Sequence, residues 1–248
     1  MLAIYKKEML SYFTNPIGYV FSGIFLLICA IVCSFTTILS QSYDTSLYFT
    51  IMIFALAILI PILTMRLFAE ERKLRTEQLL LTAPISLTGM VAGKFFAALT
   101  LYFGNILLSC INFIPLYVIA SKERAGSSYA ETNIGPVTSE LLGCLIGIIL
   151  IGAAFIAIGT FISSMTENQL AASVITIGVI LGFVCIGFLS GLINVQWIRM
   201  ILDFFSVLSR FDNFSAGIFD FAALFYYASV CFVFLFLTVR VYEKRRWG

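Results

Sequence analysis

Six long runs without charged residues alternate with polar stretches along this chain. The runs are residues 17–38, 47–65, 95–120, 141–165, 168–196 and 221–239. A helix needs roughly 20 apolar residues to cross about 30 Å of hydrocarbon, because each residue advances it by about 1.5 Å. Each run therefore predicts one membrane-spanning helix. The fifth run is longer than one helix needs, and we place its span at residues 168–190.

The residues before the first span predict a separate helix. Apolar and aromatic residues recur at spacings of three and four, with Lys6, Lys7 and Glu8 between them. This spacing is typical of an amphipathic helix at the membrane surface, here residues 1–15. Asn15–Pro16 predicts a break before the first span. The alternative is a plain positively charged anchor.

Residues 191–220 are apolar and aromatic but interrupted by five charged residues. This stretch is too charged to cross the bilayer and too apolar for a free loop. Because backbone at membrane depth must bond internally, it predicts re-entrant helices on the outer side between spans five and six. Glycines recur four apart in span four (Gly143, Gly147) and span five (Gly178, Gly182), and we interpret them as internal packing positions rather than a dimer face.

Composition supports an all-α integral membrane protein. The 248 residues are 61% hydrophobic and 11% charged, whereas soluble domains are about 25% charged. Histidine is absent, which removes the commonest general base and metal ligand. The six cysteines lie in apolar runs and form no Cys-x-x-Cys pair, so we interpret them as buried apolar residues. The net charge of +2 and the lack of a basic tract argue against nucleic acid.

Lysine and arginine predict the orientation. Six spans place both termini on one side of the membrane, together with the second and fourth loops. Eleven of the 15 basic residues fall on that side and four on the other. The positive-inside rule therefore places both termini and residues 66–94 in the cytoplasm.

Residues 66–94 are the candidate functional segment. With Met65 they form a 30-residue stretch that holds eight charged residues, although the chain has only 15 basic and 13 acidic residues. We expect a helix over 66–81, ended by Ala83–Pro84, and a following helix capped by Ser86 or Thr88. Lys94 is interpreted as an anchor whose charge reaches the membrane surface. A mixed-charge segment between apolar spans predicts a contact for a cytoplasmic motor. The candidate contact residues are Phe68, Glu70, Glu71, Arg72, Lys73, Arg75, Thr76 and Glu77.

Two smaller polar groups are also candidates. The short turn between spans four and five is either a tight turn or a second docking point, with Ser164, Thr166, Glu167 and Asn168 as its contact residues. One polar stripe on the third span either lines a substrate path or joins helices by hydrogen bonds. That stripe consists of Asn105, Ser109 and Asn112.

Two motifs suggest chemistry that their surroundings do not support. Glu70-Glu71-x-x-x-Arg75 matches the EExxxR signature of membrane proteases for prenylated proteins, but those enzymes also need histidine. Gly89-x-x-x-Gly93-Lys94 is one residue short of a phosphate loop, and Phe95 follows instead of Ser or Thr. The chain therefore shows no nucleotide site and no catalytic group of its own. Carriers driven by ions usually keep a charged residue in mid-span, and none is present here.

Four stretches resemble the membrane subunit of ABC-2-type exporters, in particular the gliding-motility and nitrous-oxide-maturation permeases. They are YKKEM and SYFTNPIGYV at 5–20; FAEERK, TEQLLLTAP and GKF at 68–95; GTFISSMTENQ at 159–169; and FSAGIFD, YY and RRW at 214–247. The family often has glycine where this chain has Arg75, and its Glu-Leu-Leu is shifted here to Gln78-Leu79-Leu80.

The resemblance implies one ABC-2-type transmembrane domain over residues 1–248 in a bacterial inner membrane. It implies six spans, an interfacial N-terminal helix, a coupling helix and re-entrant helices. It also implies a second permease half, identical or homologous, and separate ATPase subunits that bind ATP and magnesium, so that this chain is not itself an enzyme and binds no cofactor. The alternatives are an intramembrane hydrolase using Glu70 and Glu71, and a passive scaffold of an envelope complex.

Overall fold

The computed structural model describes residues 1–40, 43–78, 86–126, 135–192 and 196–247. Within these ranges the chain is helical and contains no strand, which confirms the predicted all-α class. Eleven α-helices of eight or more residues lie in the described ranges. They are α1 Leu2–Thr14, α2 Pro16–Cys33, α3 Ser46–Thr64, α4 Arg66–Lys73, α5 Leu87–Ser109, α6 Ile114–Gly126, α7 Thr138–Met165, α8 Gln169–Leu192, α9 Gln196–Phe205, α10 Val207–Ser215 and α11 Phe221–Trp247.

Six helical stretches are long and apolar enough to cross a membrane. They are Pro16–Ile38, Ser46–Lys73, Leu87–Lys122, Thr138–Met165, Gln169–Gly187 and Phe221–Arg246. Each contains most or all of one predicted span, so the protein is a multi-pass membrane protein. Several helices extend beyond the apolar runs, because a helix can continue into water when its polar residues lie past the hydrocarbon.

The segment boundaries follow local chemistry. Asn15 adopts an extended conformation between α1 and α2, and Pro16 opens α2, which confirms the predicted break. Ser86 caps α5 by accepting a hydrogen bond from the Gly89 amide at 3.2 Å, as predicted. The region between spans five and six holds the two short helices α9 and α10.

Helices α3 and α7 form the centre of the bundle. About three fifths of each apolar stretch is buried, compared with a third or less for the other four. Glycines on α7 permit this packing, because added Cβ atoms would overlap Phe211 at Gly147, Tyr102 at Gly152 and Thr64 at Gly159. The internal packing expected for span four is therefore confirmed.

In span five the same expectation holds for Gly187, whose added Cβ atom would overlap Ser206, but it is wrong for Gly178 and Gly182. A Cβ atom at Gly178 or Gly182 would meet no heavy atom of the chain within 4 Å. These glycines lie on the outer face of α8, beside the exposed residues Val174 and Leu170. Helix α8 packs against the bundle through its other face, where Ile180 and Val184 are buried.

Candidate coupling site

Helix α4 continues the second membrane span with only Met65 between them. Met65 keeps helical dihedral angles, and its amide donates to the Pro61 carbonyl at 2.9 Å. Since the backbone passes from α3 into α4 without an extended residue, a displacement of α4 reaches the second span directly.

The end of α4 contradicts the expected helix over 66–81. The Arg75 amide donates to the Arg72 carbonyl at 3.1 Å, and the Thr76 amide donates to the Glu71 carbonyl at 3.0 Å. Arg75 has a left-handed φ of 56°. These bonds form a Schellman motif, which stops the helix at Lys73. The remainder of the predicted helix, from residue 79, lies outside the described residues.

The inner face of α4 is held by α7. Ser163 accepts hydrogen bonds from the amides of Phe68 and Ala69, each at 3.2 Å, and donates to the Met65 carbonyl at 3.1 Å. Phe68 is buried, and its ring lies 5.1 Å from the ring of Tyr242 on α11. Ser163 therefore gives two amides in the first turn of α4 partners from another helix.

The turn between α7 and α8 meets α4 through Arg72. The guanidinium donates to the Met165 carbonyl at 2.9 Å and pairs with Glu167 at 2.9 Å. Thr166 donates to the Ile162 carbonyl, and Asn168 accepts from the Leu170 amide, so these two residues cap the adjoining helices. The two segments predicted to dock a partner are therefore neighbours in space.

The C-terminal helix reaches the same place. Arg245 donates to the buried Ser164's carbonyl at 2.7 Å and pairs with Glu77 at 3.0 Å. Its guanidinium also lies 5.3 Å from the ring of Tyr242. The last turns of α11 are therefore part of this polar cluster.

Lys94 is the largest correction to the sequence interpretation. Only 1% of its side chain is exposed, so its charge does not reach the membrane surface. The ammonium contacts Glu8 of α1 at 2.9 Å and Glu71 of α4 at 3.0 Å, and donates to the Leu67 carbonyl at 2.6 Å. Long side chains near a helix end usually extend to water, but here three acceptors from two other helices surround the charge.

Glu71 also binds Lys7, at 3.0 Å. Burial disfavours the Lys7 ammonium, but the hydrogen bond and negative charge of Glu71, with the charges of Glu8 and Glu70, outweigh it and raise the pKa of Lys7. Glu70 instead accepts from Arg66, at 2.8 Å. The two carboxylates of the EExxxR match therefore bind different cations.

The tip beyond α4 is the exposed part of the segment. Lys73, Leu74, Arg75, Thr76 and Gln78 are exposed, and 64% of the Leu74 side chain is accessible. Phe68, Glu71 and Arg72 hold the segment against the bundle, whereas the tip presents an apolar residue between two cations. Of the residues at 66–78 that were predicted to contact a partner, Lys73, Arg75 and Thr76 are the exposed ones.

The polar stripe of the third span lies apart from this cluster. Asn105 and Ser109 are buried and donate to carbonyls of their own helix, Leu101 at 2.9 Å and Ile106 at 2.7 Å. Asn112 follows in a 3-10 turn, and its carbonyl accepts from the Cys33 thiol. A substrate path along these residues stays a prediction.

Several residues of the cluster were missed from the sequence. Glu8, Ser163, Tyr242 and Lys94 lie far from α4 along the chain, and no local pattern pairs them with it. The one available signal was Gly89-x-x-x-Gly93 before Lys94, since small residues four apart indicate a close helix contact.

Comparison with known proteins gives one family. The model of the ABC-2 family transporter proteins matches residues 34–240, which is most of the chain. No curated protein sequence matches it significantly. The matched range contains α4, the turn between α7 and α8, candidate spans two to five, most of the sixth and only the last five residues of the first.

Proposed function

This chain belongs to the ABC-2 family of transporter proteins and is a permease component of an ABC transporter, and from that premise we propose that it serves an exporter driven by a separate ATPase. The ATPase subunits bind ATP and magnesium, and they contact this chain at residues 66–78 and 163–168. The observation that carries the proposal is the tip of α4, which is exposed at its end and joined to the second span by continuous helix.

Several contacts would transmit a force applied at the tip to the membrane-spanning helices. Met65 passes it to α3 through helical backbone. Ser163 and Arg72 pass it to α7 and to the start of α8. Arg245 passes it to α11 through Glu77. A power stroke at one short segment would therefore displace helices that cross the membrane at several places, which is what a permease without its own nucleotide site requires.

Glu167 supports a second contact. It is exposed, it lies on the turn next to α4, and its carboxylate reaches Arg72. An ATPase surface that covers the tip of α4 would meet this turn as well.

Contacts at one end of the bundle support the proposed orientation. The N-terminal helix contacts α4 through Lys7 and α5 through Glu8, and the C-terminal helix contacts Glu77 beyond α4 through Arg245. Both chain ends therefore share a side with the candidate coupling site. We propose that this side is the cytoplasm of a bacterium, that α1 lies in the membrane interface, and that α9 and α10 enter the outer leaflet.

A second permease half completes the proposal. The outer face of α8 offers a surface for it, because Gly178 and Gly182 allow a helix to approach closely and Leu170 and Val174 are apolar and exposed. The partner is a second copy or a homologous chain.

The test is to place a charge on the tip. Leu74→Asp puts a carboxylate where an apolar side chain is 64% exposed, and we expect the affinity for the ATPase subunit to fall about tenfold or more, which corresponds to about 1.4 kcal/mol. The measurement is ATPase retained on affinity-purified permease, followed by titration of the purified subunits.

Leu39→Asp is the matched control. Leu39 is 68% exposed and follows the far end of α2, away from α4, so its substitution should leave ATPase binding unchanged. If wild-type permease retains no ATPase, or if the two variants bind it equally well, the proposed coupling site is wrong.

A further inference from the structure

Lys94 joins three helices that are distant in sequence. Its ammonium on α5 contacts Glu8 of α1 and Glu71 of α4, which belong to segments 86 residues and 23 residues earlier in the chain. The Leu67 carbonyl of α4 accepts a further hydrogen bond from it. The Phe68 ring lies 5.0 Å from the ammonium. One cation thus has contacts with both α1 and α4.

The ionic contact of Lys94 with Glu8 and Glu71 is largely shielded from water. The side chains of Glu8 and Glu71 are 13% and 14% exposed, and that of Lys94 is 1% exposed. Removing one partner of a buried ion pair leaves the other charge desolvated and without a counter-charge. The Lys7–Glu71 pair lies beside it, but Lys7 is 59% exposed, and exposed pairs contribute little. Of the ion pairs that connect α1 to its neighbours, the pair with Lys94 is therefore the more buried one.

Close packing reinforces the ionic contact. A Cβ atom at Gly93 would lie 3.1 Å from the Met1 carbonyl oxygen and 3.3 Å from the Ile4 side chain. A Cβ atom at Gly89 would crowd its own cap, Ser86, and would lie 3.6 Å from the Met1 nitrogen. The start of α1 therefore packs closely against Gly89 and Gly93, and its Glu8 carboxylate binds Lys94.

We propose that Lys94 is a positioning residue that makes the N-terminal helix move together with the coupling segment. The inference rests on the proposed function, since it requires an ATPase that moves α4. Helix α1 leads into α2 through Asn15 and Pro16 alone. A displacement of α4 thus enters α3 through backbone, α5 through Lys94, and α2 through Glu8 and α1. The first three spans would respond to the nucleotide as one body.

The test compares amide hydrogen exchange of the purified permease–ATPase complex in lipid nanodiscs, with and without ATP plus vanadate. In the wild type, nucleotide should change exchange in residues 66–78 and also in residues 2–14. In Lys94→Met, residues 66–78 should still respond, and the response of residues 2–14 should be lost. Lys94→Arg retains the charge and should restore part of it.

Two further variants guard against simple misfolding. Glu8→Gln removes the α1 carboxylate that binds Lys94 and leaves Lys94 paired with Glu71, so the bundle keeps that buried ion pair while the response of α1 is lost. Arg240→Met removes an exposed pair with Glu243 on α11, and both responses should persist.

The outcomes separate this inference from the proposed function. If no ATPase is retained, or if residues 66–78 ignore nucleotide in the wild type, both proposals are overturned. If residues 66–78 of the wild type respond to nucleotide but residues 2–14 do not, only the inference about Lys94 is wrong. The same holds if residues 2–14 still respond in Lys94→Met and Glu8→Gln. A purely stabilising role would raise exchange of α1 in both states and leave its nucleotide-dependent difference intact, which also overturns the inference.

Discussion

Arg75 is the residue at which α4 ends, in a backbone conformation that favours glycine. Its φ of 56° lies in the left-handed region, which costs an L-residue about 1–2 kcal/mol relative to right-handed backbone. Glycine adopts this conformation without that cost and is the usual residue in a Schellman motif. The exposed guanidinium therefore occupies a strained position, and strain of this kind points to a functional role for the side chain.

Replacing Arg75 separates its two effects. Arg75→Gly relieves the backbone, so we expect the free energy of unfolding to rise by about 1 kcal/mol, while loss of the exposed cation weakens ATPase binding by roughly two- to fivefold. Denaturant unfolding in detergent measures the first, and titration with the ATPase measures the second.

Arg75→Ala is the matched control, since it removes the cation but keeps a Cβ atom. It should weaken ATPase binding as much as Arg75→Gly and should not be stabilised. Equal stability of the two variants would show that the left-handed backbone carries no strain.

Lys94 shows why residue roles were predicted unevenly. Arg75, where the family often has glycine, is a departure that the family resemblance revealed, because the local backbone determines which residue fits this position. The partners of Lys94 are set by the arrangement of α1, α4 and α5, and a single sequence carries no record of that arrangement. The general rule that a lysine near a span extends to water therefore gave the wrong environment, although it gave the correct end of the bundle.

At the scale of elements, α3 and α7 cross in close contact. A Cβ atom at Gly159 would overlap Thr64, whose hydroxyl donates to the Ile60 carbonyl at 3.0 Å. Gly159→Ala should therefore push α7 away from α3, which continues into α4, and should lower the free energy of unfolding by about 1–3 kcal/mol. Thermal unfolding in detergent should show a lower midpoint, together with weaker ATPase binding, because Ser163 lies one turn further along α7.

Gly104→Ala is the control for that substitution. Gly104 lies in α5, and its added Cβ atom would meet nothing within 4 Å, so the midpoint should not fall. Gly159→Ala combined with Thr64→Ala should recover part of the loss. If Gly159→Ala unfolds at the wild-type temperature, the close crossing does not limit stability.

Runs without charged residues predicted the helices well where those helices cross the lipid bilayer. Six charge-free runs gave six spans, because a charge in mid-membrane is costly whatever the fold. Residues 66–81 were predicted poorly, since their helix stops through a turn at Leu74–Thr76 that contains no glycine or proline. The start of α5 was predicted correctly, because the cap residue Ser86 is a local signal that the sequence itself carries.

At the scale of the molecule, the partly or fully buried ion pairs between helices gather at one end of the bundle. Residues of α1, α4, α5, α7 and α11 meet there through Glu8, Glu71, Lys94, Ser163 and Arg245. The polar cluster resists separation of these helices because its charges are largely shielded from water. Exposed apolar surface, by contrast, covers much of α2, α8 and α11. A transporter of two halves needs one of these faces to meet the partner.

The face of α8 can be tested directly. Val174 is 67% exposed, and Gly178 lies one turn further along the same face with open space beside it. If a second copy packs there, Val174→Cys in membranes should form a disulfide-linked dimer on mild oxidation, because equivalent residues near a two-fold axis come close together. The readout is the fraction of dimer on non-reducing gels.

Phe232→Cys is the matched control, since Phe232 on α11 is 71% exposed and should give no dimer. Cross-linking at position 232 instead of position 174 would show that the interface lies on α11. If a dimer forms only when a homologous permease with cysteine at the matching position is co-expressed, the two halves are different chains.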